Sequence, residues 1–146
     1  MTPPTATVSG TTLTLAYGGK SYDLSHSVVL AGDGTPTVQF EQPMDVGYNQ
    51  IWLSTQEKAK KGKPIKVHGF GMTGAFVQLA DGTANVKNVS NDCSSDGTIT
   101  FKDVPTVGRK ASGSIDVTIT CSHVAALPAP LVVKGDFDGI AVKKGD

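Results

Sequence analysis

The sequence predicts an all-β domain: an antiparallel β-sandwich of roughly ten strands, immunoglobulin-like or jelly-roll-like in type. Three observations carry this. Apolar residues recur mainly at every second position, the spacing of a half-buried strand. The runs are short and bounded by Gly, Asp, Asn and Pro, with 17 glycines in 146 residues. Residues that favour helices, glutamate and leucine above all, are scarce beside threonine and glycine.

Taken in order, residues 1–6 read as a flexible lead-in to a single domain spanning 1–146. "TLTLAY" places Leu13, Leu15 and Tyr17 on one face, and "SYDL" follows. Gly18-Gly19 between them suits a two-residue hairpin, whose central positions need positive φ. "SVVLA" ends at "GDGTP". "TVQFE" alternates Val38 and Phe40 before "QPMDVGYN" breaks the pattern. "QIWLS" sets Ile51 and Leu53 on one face and Trp52 on the other.

"TQEKAKKGKP" alone has helical composition. It lacks an apolar stripe, and Gly62 and Pro64 close it, so one or two exposed turns are the most expected there. Its four lysines, Lys58, Lys60, Lys61 and Lys63, read as a solvated face. "PIKVHGFGM" alternates Ile65, Val67 and Gly69 against Lys66, His68 and Phe70. "AFVQLADG" and "TANVKNV" flank Asp81-Gly82, the strongest local hairpin signal in the chain. "TITFKDV", "SGSIDVTITC" and "LVVKGDFDGIAV" complete the set, with "SHVAALPAP" as a proline-stiffened loop before the last.

The charge balance is even, 13 basic against 13 acidic residues. It gives no basic face for nucleic acid and no attraction to an anionic membrane. Apolar runs reach about six residues, against roughly 20 for a membrane-spanning helix. "MTPPTATVSG" has no basic start and no apolar stretch of a signal peptide, and reads as the lead-in of a mature domain.

Cys93 and Cys121, two cysteines with no CxxC pair, cannot make a zinc cluster by themselves. They are expected to form one disulfide joining two strand ends, which implies an oxidising compartment. The alternatives are unreactive free thiols and a catalytic thiol at Cys121 beside His123, the latter with no activating helix N-terminus near it. His26, His68 and His123 are dispersed. Met44 and Met72 would suit copper(I), but His68 and Met72 stand about 13 Å apart on an extended strand. No metal and no cofactor is expected. The Asp-Gly pairs at 33–34, 81–82, 96–97 and 138–139 lack the ligand pattern of a calcium loop, and read as turn chemistry. Asn88-Val89-Ser90 fits the glycosylation triplet and is treated as incidental. The chain has no GxSxG elbow, phosphate-binding loop or paired catalytic carboxylates.

The opening "TLTLAYGGKSYDL", the following "SVVLAGDG" and the closing "ASGSIDVTIT…LVVKGDFDGIAV" resemble small bacterial exported domains, often lipoproteins, of unassigned function. In that class a late strand of the type GS(I/F)xVT precedes a final GxFDxI strand. The similarity spans about half of the chain. It implies export and a β-sandwich, and it brings no catalytic residue with it.

The expected function is therefore a non-enzymatic binding or protein-interaction domain, placed in the periplasm, at the cell surface or outside the cell. Its partner is a protein or a carbohydrate. Tyr48, Asn49 and Trp52, beside the "QPMDVGYN" loop, are the expected contacts, because aromatic rings with neighbouring amides stack and hydrogen-bond sugars or protein surfaces. The alternatives are a self-assembling surface subunit joined through edge strands, and a small hydrolase or metal-binding protein in which a residue such as His68 meets a carboxylate.

Overall fold

The computed structural model describes residues 5–17, 20–31, 35–43, 48–70, 74–80, 86–88, 93–121 and 130–143. Among these the chain is all-β with no helix. The strands are β1 (Thr5–Gly10), β2 (Thr12–Tyr17), β3 (Lys20–Leu24), β4 (His26–Ala31), β5 (Thr37–Pro43) and β6 (Tyr48–Ser54). They continue with β7 (Pro64–Phe70), β8 (Ala75–Ala80), β9 (Val86–Asn88), β10 (Cys93–Phe101), β11 (Lys110–Cys121) and β12 (Leu131–Lys143).

Thr5 and Ala6, grouped by sequence with the lead-in, open β1, and Ala6 is only 3% exposed. β2 and β3 pair with Tyr17 opposite Lys20, so two residues separate them, as the glycine pair requires. The alternation holds in the middle of the chain. Ile51, Leu53, Ile65 and Val67 are buried while Lys66 and His68 are exposed. Each such aliphatic side chain contributes about 1.5–3 kcal/mol by leaving water. Residues 55–63 form bends and a turn, with all four lysines exposed.

The sheet is mixed rather than purely antiparallel. β12 runs antiparallel to β11 along one edge. Its other edge is shared: residues 132–137 pair parallel with β1, and residues 140–143 pair parallel with β4. Two arms leave that edge, β1-β2-β3 and β4-β5-β6-β8-β9, while β11 continues through β10 to β7. Local sequence signals report hairpins between neighbours. A parallel pair between strands far apart in the chain leaves no such signal.

One apolar cluster draws on every arm: Leu13 and Leu15, Val38 and Phe40, Ile51 and Leu53, Ile65, Ile99 and Phe101. Phe101 and Phe137 meet edge to face within it, centroids 5.5 Å apart, the arrangement their ring quadrupoles favour.

Two of the Asp-Gly pairs are not turns. Asp96-Gly97 lies inside β10, with Gly97 between Val117 on β11 and Val67 on β7. Asp138-Gly139 lies inside β12, where Gly135 also sits. Gly97 (φ 156°) and Gly135 (φ 143°) hold conformations that side chains rarely adopt. A Cβ on Gly97 would stand 2.1 Å from the Asp116 carbonyl oxygen, and one on Gly135 1.9 Å from that of Val8. These glycines admit a neighbouring backbone, a use that resembles turn chemistry in sequence. The pairs at 33–34 and 81–82 lie outside the described residues.

Candidate functional site

β5 and β6 pair in register, which fixes what each face carries. Val38, Phe40, Ile51 and Leu53 point to the core. The alternate set places Gln39 opposite Trp52, Glu41 opposite Gln50 and Thr37 opposite Ser54. Trp52 is half-buried, as are Glu41 and Gln50. Thr37 and Gln39 are buried on this face, so the hydrogen-bonding groups left partly open beside the indole are the Glu41 carboxylate and the Gln50 amide.

Hydrogen bonds order this face. Gln39 Nε2 donates to Glu41 Oε1, and Thr37 Oγ1 donates to Ser54 Oγ at 3.3 Å. Side chains held before a ligand arrives lose less entropy when it binds.

The three expected contact residues are divided. Trp52 lies on the polar face. Asn49 has the opposite parity, is 0% exposed, and its Nδ2 donates to Gln42 Oε1 at 3.0 Å. It joins β6 to β5 from within. Tyr48 opens β6 opposite Pro43; its side chain and residues 44–47 lie outside the described set. Sequence reasoning missed Gln39, Glu41 and Gln50. Their alternation with Val38, Phe40 and Ile51 was the available signal.

Cys93 and Cys121 stand directly opposite each other as Cα partners at one end of the β10–β11 ladder. Their side chains are not among those described. Cys93 is the first residue of β10.

His68 projects from β7 with its cross-strand partner Asp96, Nδ1 to Oδ1 3.5 Å. The two side chains are 74% and 87% exposed, so the pair stands on an open strand surface and not in a cleft. Among the described residues no three His, Cys, Asp or Glu side chains converge as metal ligands. The side chain of His26, all of His123, Met44 and Met72, and residues 89–90 of the glycosylation triplet lie outside the described residues. No helix among the described residues is long and apolar enough to cross a membrane.

A separate pocket, about 80 Å³ in volume, opens where the edge of β12 passes from β1 to β4. It is lined by Thr11, Ser27, Lys110, Asp138, Gly139 and Ile140. Neither these residues nor their convergence has a signature in the sequence. No protein-family model, curated protein or solved structure matches the chain.

Proposed function

We propose that this chain is a non-enzymatic, exported binding domain that contacts carbohydrate through the outward face of β5 and β6. The observation that carries the reading is the position of Trp52. It is half-buried among Gln39, Glu41 and Gln50, on the face turned away from Ile51 and Leu53. Sugars present axial C–H groups to aromatic rings and hydroxyls to amides and carboxylates, and this face offers both kinds of partner. The apolar cluster shared by the arms among the described residues supports a sandwich-type packing.

Export rests on a Cys93–Cys121 disulfide. Directly opposed residues of an antiparallel pair have Cα atoms about 4.5–5.5 Å apart. Disulfides span about 4.4–6.8 Å between Cα atoms, so the register of the two cysteines suits the bond. Such a bond persists in the periplasm or outside the cell and is rare in the cytosol.

Trp52 is the single tryptophan, so fluorescence reads the site directly. Titration with a panel of bacterial and plant oligosaccharides should shift its emission for at least one glycan. Affinity electrophoresis should show that Trp52→Ala loses retention on that glycan. Emission unmoved by every glycan, with retention unaffected by the substitution, would refute the carbohydrate reading.

A further inference from the structure

We propose that the fork in the edge of β12 is a second binding site, and that it accepts one polyhydroxyl ring, a monosaccharide unit. The site is built from other strands than the Trp52 face and does not rest on the function assigned to that face.

The fork is a consequence of the topology. β1 accompanies β12 as far as Phe137, and β4 joins it from Ile140 onward. Asp138 and Gly139 lie between the two partners. Ala141 donates to the Arg109 carbonyl (2.9 Å) and accepts from Gly108 N–H (2.8 Å), both on the β11 side. Strand alternation therefore turns the backbone N–H and C=O of Asp138 toward the fork. A gap between diverging strands, with backbone polar groups aimed into it, is where a small polar molecule can replace the missing strand.

Ser27 supplies the independent observation. It is 8% exposed, and its Oγ is buried with no hydrogen-bond partner. It lies against Gly139, 3.0 Å from where a Cβ would stand. A buried hydroxyl left unsatisfied opposes folding, so its retention at the wall of a pocket points to a partner that binds there. The pocket, about 80 Å³, exceeds the roughly 10–15 Å³ that one water needs several-fold.

The lining selects the ligand chemistry. Asp138 is an acceptor, already receiving the Ser112 hydroxyl. Lys110 is a donor, while Ser27 and Thr11 both donate and accept. Lys110 opposes a bare cation and Asp138 opposes an anion. Vicinal hydroxyls, each donor and acceptor, satisfy all four groups, and Ile140 offers an apolar wall to the ring carbons.

The test is an amide-shift titration of the ¹⁵N-labelled full chain with glucose, galactose, mannose and N-acetylglucosamine, and with glycine as a zwitterion control. At least one sugar should move the amides of Ser27, Asp138, Gly139 and Ile140. Ser27→Ala and Lys110→Ala should each weaken that response about tenfold or more. Ser27→Ala should also hold or raise Tm, because it removes an unsatisfied group. The site is refuted if no sugar moves these amides or if glycine alone does. It is equally refuted if Ser27→Ala lowers Tm and leaves the sugar response intact. Loss of the Trp52 emission response would leave these outcomes unchanged.

Discussion

The backbone N–H of His68 donates a 2.6 Å hydrogen bond to Oε1 of Gln56, twelve residues earlier in the chain. Next to it, Lys66 N–H donates to Glu57 Oε2 (3.0 Å), and Gln56 N–H donates to the Lys66 carbonyl (3.1 Å). Thr55 anchors this segment, buried and bonded through Oγ1 to the Pro36 carbonyl at 2.8 Å. Two side chains thus occupy backbone positions on β7 that a further strand would otherwise take. Covering an edge in this way guards against strand addition.

The paired substitution Gln56→Ala with Glu57→Ala should uncover that edge. Folding free energy should fall by about 1–3 kcal/mol for the lost bonds. Sedimentation velocity should reveal concentration-dependent association absent from the parent chain. If both proteins sediment alike, β7 does not need its cover, and self-assembly through this edge is excluded.

Neighbouring residues of β6 should separate stability from binding. Ile51 is fully buried, so Ile51→Ala should cost about 2–5 kcal/mol. Trp52→Ala should cost less, since Trp52 lies outside the apolar core and is only partly buried, yet it should abolish glycan retention. Denaturant melts compared with affinity electrophoresis give the two orderings, which should be opposite.

The cysteine pair predicts a redox-dependent stability. Joining residues 93 and 121 should contribute roughly 3–4 kcal/mol through the chain entropy of the denatured state. Protein prepared from an oxidising compartment should resist alkylation until reduced. Cys93→Ser should then match the reduced parent in its melting midpoint. Two thiols that alkylate at once in that preparation would remove the staple and with it the physical ground for export.

Glycine substitutions should rank by what a side chain would meet. Gly97→Ala brings a Cβ against the Asp116 carbonyl in a conformation with φ 156° and should cost about 3–5 kcal/mol. Gly62, at φ 70° with open space around it, should cost about 1–2 kcal/mol when changed to Ala. Equal losses by chemical denaturation would contradict the close approach of β10 and β11.

What could be read from the sequence was local. Alternation located the core faces of β6 and β7 because a strand's side chains obey period two wherever it lies. Asp96-Gly97 and Asp138-Gly139 misled because a dipeptide that closes a turn also permits a neighbouring backbone to come near. Gln56 and Glu57 sat in a stretch that looked like a solvated helical turn, and their bonds to β7 depend on tertiary position. Asn49 was grouped with Trp52 by nearness, although parity sends it to the other side. The β12 fork and its Ser27 were invisible, since strands distant in sequence create them.

That same fork constrains how the chain reaches its final form. Thr5 pairs with Val132, 127 positions later, and β4 also waits for the end of β12. During synthesis β1 and β4 must remain without their shared partner until β12 has been made. Closing contacts of such range is slow. The newly made protein should therefore spend long enough with two open strand edges to need a chaperone to hold them apart.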